Sequence, residues 1–333
     1  MLKIGLLGAG HLGKIHLKCI LLASDHFELV GFYDPDERNA AEVAANTGVT
    51  RYENLGELIA ACDVLDVVTP TSTHYELAIR IMEAGKHLFI EKPLTHALEE
   101  ARHLVDLAAQ KKVQVQVGHV ERFNPALLAL GNKQLNPMFI EAHRLAVFNP
   151  RGTDVSVVLD LMIHDLDILL SLVPSRVKDV SASGVSIVSS TPDIVNARIE
   201  FENGCVANLT ASRISMKQMR KVRIFQEDAY ISLDFLDKKA EIVRLHASKD
   251  PADTSSENWL ELNTDSGRKW MQLEMPPIEP VNAIKMELEA FAESIEAGTR
   301  PKVSIEEGYE ALVLAQHIAD KIEERNRQYK PSL

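Results

Sequence analysis

Apolar runs and helical patterns alternate through the first third of the chain. Between the runs, apolar residues recur at the three- and four-residue spacing of helices that pack on a sheet. The runs are nearly continuous, as expected of strands buried on both faces of a parallel sheet, and they cover residues 2–7, 28–33, 63–68, 87–90 and 113–117. This alternation predicts an α/β domain built on a doubly wound parallel sheet.

The second half of the chain is dominated by strand patterns. Alternating or apolar segments predict strands at residues 141–148, 180–188, 194–201, 206–213, 221–226 and 230–235. Asn203-Gly204 has the composition of a hairpin turn, whereas residues 246–275 are polar and irregular and predict a long loop. Two helices, at residues 283–297 and 305–325, follow that loop. We therefore predict a second, sheet-rich domain over residues 121–333, after a first domain over residues 1–120.

Length, charge and cysteine content narrow the classes of protein. A chain of 333 residues has the length of two ordinary domains. Its net charge of −12 argues against nucleic acid or an anionic membrane surface as the partner. The three cysteines are far apart and form no CxxC pair or disulfide framework, and no signal peptide or membrane segment is evident. We expect a cytoplasmic protein.

A glycine-rich loop follows the first predicted strand. Gly8-Ala9-Gly10-His11-Leu12-Gly13 opens a helix, and Asp34 ends the next strand, 21 positions after Gly13. In a dinucleotide-binding fold, Gly8 makes the tight turn, Gly10 lets the pyrophosphate approach, and Gly13 lets helix and strand pack closely. His11 and Leu12 lie where the helix N-terminus faces the pyrophosphate.

Asp34 predicts which dinucleotide is bound. Its carboxylate would accept hydrogen bonds from the adenosine ribose and repel a 2′-phosphate, so NAD is favoured over NADP. Thr69 and Pro70, after the third strand, and His74, in the following helical turn, are further candidates for cofactor binding. Thr73 and Glu76 have the spacing of a capping box at the start of that helix.

Glu91-Lys92-Pro93 follows the fourth predicted strand. Open α/β sheets bind their ligands at the carboxyl ends of the strands, which places the Lys92 amine at a ligand site. A lysine after a buried strand is usually a solvated loop residue, so Lys92 considered alone favours that interpretation. Glu91 could contact the nicotinamide ribose or only hold the turn. Arg122-Phe123-Asn124, after the fifth strand, should face the same cleft, with Asn124 also a predicted helix N-cap.

Polar residues interrupt the apolar helical pattern at residues 157–172. Asp160 and His164 are four residues apart and Asp167 is three further on, so all three would share one helix face. Burying these groups without a use is costly. They could instead form an internally satisfied structural pair. A metal site is a third interpretation, but we find no convincing additional ligands and predict no metal.

Taken together, these motifs resemble the glucose-fructose oxidoreductase / inositol dehydrogenase / MocA family over nearly the whole chain. The matching elements are the glycine loop, Val68-Thr69-Pro70 with His74, Glu91-Lys92-Pro93, Gly118 with Arg122-Phe123, and Asp160-x-x-x-His164-x-x-Asp167. The resemblance implies an N-terminal Rossmann domain and a C-terminal α/β domain with an open mixed β-sheet that often forms the oligomer interface. It also implies a homodimer or homotetramer and NAD-dependent oxidation or reduction of a sugar or polyol carbon.

The resemblance assigns catalytic roles to Lys92, Asp160 and His164. Oxidation of a secondary alcohol requires hydride transfer and removal of the hydroxyl proton, which a base and a nearby cation assist. We hypothesise that His164 takes the proton and that Asp160 orients the substrate or His164. Lys92 would stabilise the oxygen and, by binding both, hold the substrate and the nicotinamide ring in register. Lys92 as the base is the competing assignment.

Within the family, the sequence is more similar to the sugar-nucleotide branch that oxidises C3 of UDP-N-acetylglucosamine. It has Ser156-Val157-Val158 and Leu161-Met162-Ile163 where many members have glycines. Candidates for diphosphate or sugar contacts are Arg122, Arg151 and Arg213, because the guanidinium suits phosphate. An inositol or free-sugar dehydrogenase is the nearest alternative. A catalytically idle NAD-binding sensor or scaffold is the alternative from another class.

Overall fold

The computed structural model describes residues 1–131, 133, 135–149, 155–248, 259–264 and 267–328. The chain divides by contacts into two compact units, each with its own sheet. The first unit comprises Met1–Phe123 together with Asn282–Val313, and the second comprises Asn124–Val281 and the chain from Leu314 onward.

The first unit is built on a parallel sheet of five strands in the order β2-β1-β3-β4-β5. The strands are β1 (Leu2–Leu7), β2 (Phe27–Tyr33), β3 (Val64–Val67), β4 (His87–Glu91) and β5 (Val115–Gly118). The helices are α1 (His11–Leu22), α2 (Glu37–Thr47), α3 (Leu55–Ala61), α4 (His74–Glu83) and α5 (Leu98–Lys111). Because β1 lies between β2 and β3, the strand order reverses there, and ligands of open α/β sheets bind at such a reversal.

A helix from late in the chain completes the core of the first unit. α8 (Ala283–Ala297) buries Leu288, Phe291 and Ala292 in the apolar cluster of this unit. The rings of Phe291 and Phe89 lie 6.2 Å apart. By contacts, residues 282–313 therefore belong to the first unit, although sequence order had placed them in the predicted domain 121–333. The apolar stripe of α8 shows that the helix is amphipathic but not which sheet it covers.

The second unit contains a mixed sheet of nine strands in the order β13-β14-β12-β11-β10-β6-β9-β8-β7. All neighbours are antiparallel except β6 and β9, which are parallel. The strands are β6 (Phe139–Leu145), β7 (Val177–Val185), β8 (Ile194–Phe201), β9 (Val206–Ser212), β10 (Met219–Phe225), β11 (Ala229–Asp234), β12 (Lys239–His246), β13 (Trp259–Thr264) and β14 (Gly267–Glu274). The predicted fold class, a doubly wound parallel sheet followed by an α/β unit with an open mixed sheet, is confirmed.

The described helices of the second unit differ widely in length. The helices are α6 (Pro125–Leu128), α7 (Ile163–Leu172) and α9 (Ile305–Gln328), and α9 begins in the first unit. α7 packs on β6 through an almost entirely buried face.

The predicted long loop at residues 246–275 is wrong. The structure has a hairpin there, β13 and β14, which extends the sheet beyond β12. Apolar and polar residues alternate in Leu260-Glu261-Leu262-Asn263, which is the period-two pattern of a strand. The high polarity of the surrounding segment obscured this short period-two pattern.

Candidate active site

The glycine loop has the close packing that a dinucleotide site requires. Gly8 has a φ of +89°, a left-handed conformation that favours glycine. A Cβ atom on Gly8 would lie 2.8 Å from the Val68 carbonyl oxygen, and one on Gly13 would lie 1.9 Å from the Gly8 carbonyl oxygen. Any side chain at either position would therefore force the loop apart from β3 or from α1.

Gly10 differs from these two glycines. Its φ of −66° is ordinary, and a Cβ atom built on it would meet no heavy atom within 4 Å. The residue precedes α1, whose first residues, His11 and Leu12, are exposed. Open space in front of unpaired helix N–H groups fits a pyrophosphate, so the loop is compatible with a bound dinucleotide.

Asp34 is fixed by three hydrogen bonds at the end of β2. Its Oδ2 accepts from the Ala9 main-chain N–H at 2.8 Å and from the Asn39 side-chain amide at 3.0 Å. Its Oδ1 accepts from the Asp36 N–H at 2.8 Å. Sequence interpretation missed Asn39, although an amide five residues after the acid, in the first turn of α2, is close enough to be suspected.

A cavity of about 630 Å³ lies beside Asp34, at the point where the strand order reverses. Its walls bring together the loops after β1, β2 and β3, including Gly8, Gly10, Asp34, Thr69 and Pro70. Five of the predicted cofactor-binding residues therefore line one cavity. Its volume lies within the range of ordinary ligand and cofactor sites.

His74 is buried between two loops at the start of α4. Its Nδ1 lies 3.0 Å from the Pro93 carbonyl oxygen and its Nε2 lies 3.0 Å from the Thr69 carbonyl oxygen. Burial lowers the pKa of His74. The ring therefore links the loop after β3 to the loop after β4, and this contact with both loops is what the structure shows for it.

The predicted capping box at Thr73 is wrong. Thr73 makes no side-chain cap, because its hydroxyl donates to the Pro70 carbonyl oxygen at 2.9 Å and contacts the Thr69 hydroxyl at 2.7 Å. Thr73 closes the preceding 3₁₀ turn instead.

The Glu91-Lys92-Pro93 segment follows β4, as predicted, and the Lys92–Pro93 peptide is cis. Glu91 Oε2 accepts a hydrogen bond from the Lys92 main-chain N–H at 3.2 Å. Gly118 is paired with Glu91 in the sheet, and a Cβ atom on Gly118 would lie 2.8 Å from Glu91 Oε1. Glycine at 118 thus makes room for the Glu91 carboxylate.

The predicted substrate residues after β5 contact other residues of the unit to which they belong. Arg122 and Phe123 lie in the first unit, and Asn124 lies in the second. Arg122 donates to Glu307 at 3.1 Å, and Phe123 is fully buried with the Lys302 ammonium 4.9 Å from its ring centroid. Asn124 caps α6, as predicted, by accepting from the Ala126 N–H at 3.0 Å, and its amide donates to the Phe235 carbonyl. The burial of Phe123 and Asn124 is typical of structural residues.

Asp160 and His164 lie on either side of a change in helix type. Residues Val158–Met162 form one π-helical turn, and α7 continues from Ile163 as an α-helix. Sequence interpretation predicted one uninterrupted helix, because one π turn leaves the apolar pattern almost unchanged. Such turns occur often at functional sites. Asp160 and His164 are both partly exposed, whereas Asp167 is buried.

A buried ion pair anchors the start of α7. Arg144 on β6 donates through Nε and Nη2 to both carboxylate oxygens of Asp165, at 2.8–3.1 Å. Asp165 follows His164 directly, so this pair fixes the helix segment that carries the predicted catalytic histidine.

Arg213 is buried at the end of β9, and its guanidinium donates to the Val155 carbonyl oxygen at 2.5 Å. It therefore supports the chain that enters the π turn. Arg151, the remaining predicted substrate residue, lies outside the described residues.

The described parts of the chain have neither a metal-binding cluster nor a helix that could span a membrane. No cluster of three or more histidine, cysteine, aspartate or glutamate side chains there could hold a metal ion. No helix there has both the length and the apolar character needed to cross a membrane. The cysteines Cys19, Cys62 and Cys205 are buried free thiols.

Two family models match most of the described fold. Residues 2–119 match a model described as an oxidoreductase family with an NAD-binding Rossmann fold, and residues 141–232 match the GFO/IDH/MocA C-terminal domain.

Similar proteins include sugar-nucleotide and polyol dehydrogenases. The UDP-N-acetylglucosamine 3-dehydrogenase of Acidithiobacillus ferrooxidans is 39% identical over 75% of this chain and 79% of its own length. A solved structure of that enzyme superimposes with a TM-score of 0.85 at 34% identity, covering 97% of this chain and 98% of the other. The NAD-dependent scyllo-inositol 2-dehydrogenase of Bacillus subtilis is 30% identical over 64% of this chain and 68% of its own length. The chain therefore belongs to the Gfo/Idh/MocA family of oxidoreductases with an NAD-binding Rossmann fold.

Proposed function

We propose that this enzyme transfers a hydride between NAD and a secondary hydroxyl of a sugar, namely C3 of a UDP-N-acetylhexosamine. The observation that carries the proposal is the similarity over three quarters of the chain to a UDP-N-acetylglucosamine 3-dehydrogenase, at 39% identity. The glycine loop and the cavity beside Asp34 support the cofactor half of the proposal.

NAD, rather than NADP, is the proposed cofactor. Asp34 is held with its carboxylate beside the cavity, where its charge would repel a 2′-phosphate. Gly8, Gly10 and Gly13 would form the loop that holds the pyrophosphate. The other residues of the proposed cofactor set are His11, Leu12, Asp34, Thr69, Pro70, His74, Glu91 and Lys92. When bound, the dinucleotide supplies the hydride acceptor. The ratio of kcat/KM for NAD to that for NADP should fall in Asp34→Asn, and an unchanged ratio would contradict this role.

The proposed chemistry uses Lys92, Asp160 and His164. His164 takes the hydroxyl proton, because an imidazole accepts protons near neutral pH. Lys92 places a positive charge against the developing alkoxide, and Asp160 orients the substrate or His164. In the competing assignment, Lys92 itself takes the proton. Arg122, Phe123, Asn124, Arg151 and Arg213 complete the proposed substrate set, in which the arginines suit a diphosphate best.

A substrate screen tests the proposed function. NADH formation would be followed with UDP-sugars, inositols and free hexoses as substrates, and UDP-N-acetylglucosamine should give the highest kcat/KM. Lys92→Met and His164→Asn should each lower kcat by roughly 100-fold or more. Wild-type turnover in both variants would refute the proposed catalytic residues.

An inositol dehydrogenase is the second candidate, because a scyllo-inositol 2-dehydrogenase is also 30% identical to this chain. Robust inositol oxidation without a signal from any UDP-sugar would select it. An idle NAD-binding sensor would bind NADH in a titration but oxidise none of these substrates.

We also propose that the enzyme is a homodimer or homotetramer that associates through the nine-stranded sheet. The open face of this sheet carries a groove of about 530 Å³ on strands β6–β9. Polar side chains line it: Ser181, Asn196, Asn208 and Thr210 can both donate and accept hydrogen bonds, and Arg198 donates only. Such a surface can supply hydrogen bonds across an interface between subunits.

Finally, we propose a cytoplasmic location, which the three free thiols support, because free cysteines are typical of a reducing compartment. Cell fractionation tests this location.

A further inference from the structure

Three ionisable side chains meet at the end of β4, directly before Lys92: His16, Asp66 and Glu91. His16 lies on the buried face of α1, Asp66 lies within the apolar strand β3, and Glu91 ends β4. His16 Nδ1 is 2.9 Å from Asp66 Oδ2, and His16 Nε2 is 3.2 Å from Glu91 Oε1. The histidine thus joins the helix of the cofactor loop to the strand that precedes Lys92.

Packing fixes the orientation of the imidazole. The His16 and Asp66 side chains are fully buried, and the Glu91 side chain is 12% exposed. The edge of the His16 ring meets the Phe89 ring, with the centroids 5.9 Å apart. On the other side of Glu91, glycine at 118 leaves the space that the carboxylate occupies. The ring and the carboxylate therefore have little freedom to move.

The arrangement favours the charged form of His16. Both ring nitrogens face carboxyl oxygens, and an imidazolium would donate to both of them. Burial lowers the pKa of His16, but the charges of Asp66 and Glu91 and their hydrogen bonds outweigh it and raise that pKa well above its ordinary value. The His16 imidazole is thus buried between two carboxyl groups, and burial also raises the pKa of Asp66.

The network continues into the main chain of Lys92. The carboxylate that contacts His16 through Oε1 accepts the Lys92 N–H through Oε2 at 3.2 Å. Beyond Lys92, the Pro93 carbonyl oxygen contacts His74. The segment that carries the Lys92 amine is therefore held on one side by His16 through Glu91 and on the other by His74.

We propose that His16 is a positioning residue that fixes the position of the Lys92 amine through Glu91. Asp66 in turn fixes the orientation of the His16 imidazole. The proposal rests on the proposed function, in which Lys92 stabilises the reacting oxygen. When a group that orients a reacting side chain is removed, the reaction rate typically falls roughly 10- to 100-fold. Removal of an ion pair with a purely structural role would lower the stability of the fold but would leave the kcat of the folded enzyme unchanged.

The test compares His16→Asn with the wild-type enzyme on the best substrate of the screen. We expect kcat to fall roughly 10- to 100-fold, while the Kd for NADH stays within about threefold because the glycine loop is untouched. Asp66→Asn, which preserves shape, should lower kcat in the same direction and carries the test if His16→Asn does not fold. Wild-type kcat in a folded His16→Asn or Asp66→Asn enzyme would overturn the proposal.

His87→Asn is the matched control. His87 begins the strand that Glu91 ends, is half-buried, and accepts a hydrogen bond from the Gln114 N–H at 3.0 Å. Its substitution perturbs the same strand at the opposite end, so kcat should stay at the wild-type value. An equal loss of kcat in this control would show that any damage to β4 suffices and would overturn the specific role of His16.

A second measurement separates this proposal from the proposed function. Competitive acetylation with acetic anhydride, followed by mass spectrometry of the Lys92 peptide, reports the surroundings of the amine without any turnover. Labelling of Lys92 should be faster in His16→Asn than in the wild type and unchanged in His87→Asn. If no sugar is oxidised, the proposed function fails while the labelling still decides the positioning role, and equal labelling in all three proteins would refute that role.

Discussion

The atoms around Gly10 and Gly13 decide whether each glycine of the cofactor loop serves packing or ligand access. Gly13 packs against the Gly8 carbonyl with no room for a Cβ atom, whereas Gly10 faces open space. The same residue type therefore serves folding at one position and ligand access at the other. Sequence spacing identifies both as glycines of a dinucleotide loop, but only the structure separates their tasks.

This difference predicts opposite effects for two small substitutions. Gly10→Ala should fold with an unchanged melting temperature, because its φ of −66° suits alanine and no atom lies within 4 Å of the added methyl. That methyl would occupy the approach of the pyrophosphate, so NADH affinity should fall at least about tenfold, or about 1.4 kcal/mol. Fluorescence titration with NADH measures the affinity, and thermal unfolding measures the fold.

Gly13→Ala is the counterpart. Its methyl would lie 1.9 Å from the Gly8 carbonyl oxygen, so the melting temperature should fall. Equal melting temperatures for the two variants would contradict the division of roles.

Local sequence motifs predicted most helices and strands. They could not predict contacts between side chains that are far apart in the sequence. The glycine loop, Asp34 and the strand before Lys92 are each marked within about twenty residues of sequence, and all lie where they were expected. His16, Asp66 and Glu91 are far apart in sequence, so no spacing rule connects them. The one available signal was Asp66 itself, an acid within an apolar strand, which requires a buried partner.

At the start of α7, the Arg144–Asp165 pair gives a stability prediction. Both side chains are almost fully buried, so Arg144→Met would leave a buried carboxylate without its main cation and should destabilise the second unit by about 3–5 kcal/mol. The double variant Arg144→Met/Asp165→Leu should recover most of this loss, since no buried charge remains. Denaturant unfolding measures each step.

Lys221→Met serves as the control for the ion pair. It breaks the pair with Asp234, in which the Lys221 side chain is 48% exposed, and should cost no more than about 1 kcal/mol. A loss as large as that of Arg144→Met would show that the cost does not come from burial.

The connection between β7 and β8 gives a prediction on pH. Asp193 Oδ2 accepts three main-chain N–H groups, from Ile187, Val188 and Ser189. Burial raises the pKa of Asp193, but these hydrogen bonds outweigh burial and hold that pKa well below its ordinary value. A carboxylate with a lowered folded-state pKa stabilises the fold above its unfolded-state pKa, and this contribution is lost as the pH falls below it.

Asp193→Asn should therefore lower the melting temperature at pH 7, with a loss of about 1–3 kcal/mol from weakened hydrogen bonds. The difference from wild type should shrink below about pH 4, where the unfolded aspartate is protonated. Asp179→Asn, at an exposed position on β7, should change neither value. A difference that grows at acid pH would have the wrong sign for this mechanism.

At the scale of the whole molecule, chain order and compact units do not coincide. Residues 282–313 return to the first unit after the chain has formed the second sheet. Composition cannot predict this return, because α8 has an amphipathic pattern that would suit either sheet. The family resemblance, by contrast, followed from motifs in both halves of the chain and is confirmed. The order of the motifs along the chain therefore predicted the family, but it did not predict which unit residues 282–313 join.

Self-association through the nine-stranded sheet is the prediction that belongs to this scale. Arg198→Glu reverses a charge in the polar groove on strands β6–β9, and an interface that uses this face should be weakened by like-charge contacts or lost hydrogen bonds. The residue is exposed, and its ion pair with Glu200 is a surface pair worth less than about 1 kcal/mol, so the fold should survive. Sedimentation velocity at micromolar concentration should show a dimer or tetramer for the wild type and a shift toward monomer for Arg198→Glu. Glu42→Lys, at an exposed position on α2, should sediment like the wild type. A monomeric wild type would contradict the proposed self-association. An unchanged assembly in Arg198→Glu would place the association on another surface, because an interface that buries this groove should be weakened by the reversed charge.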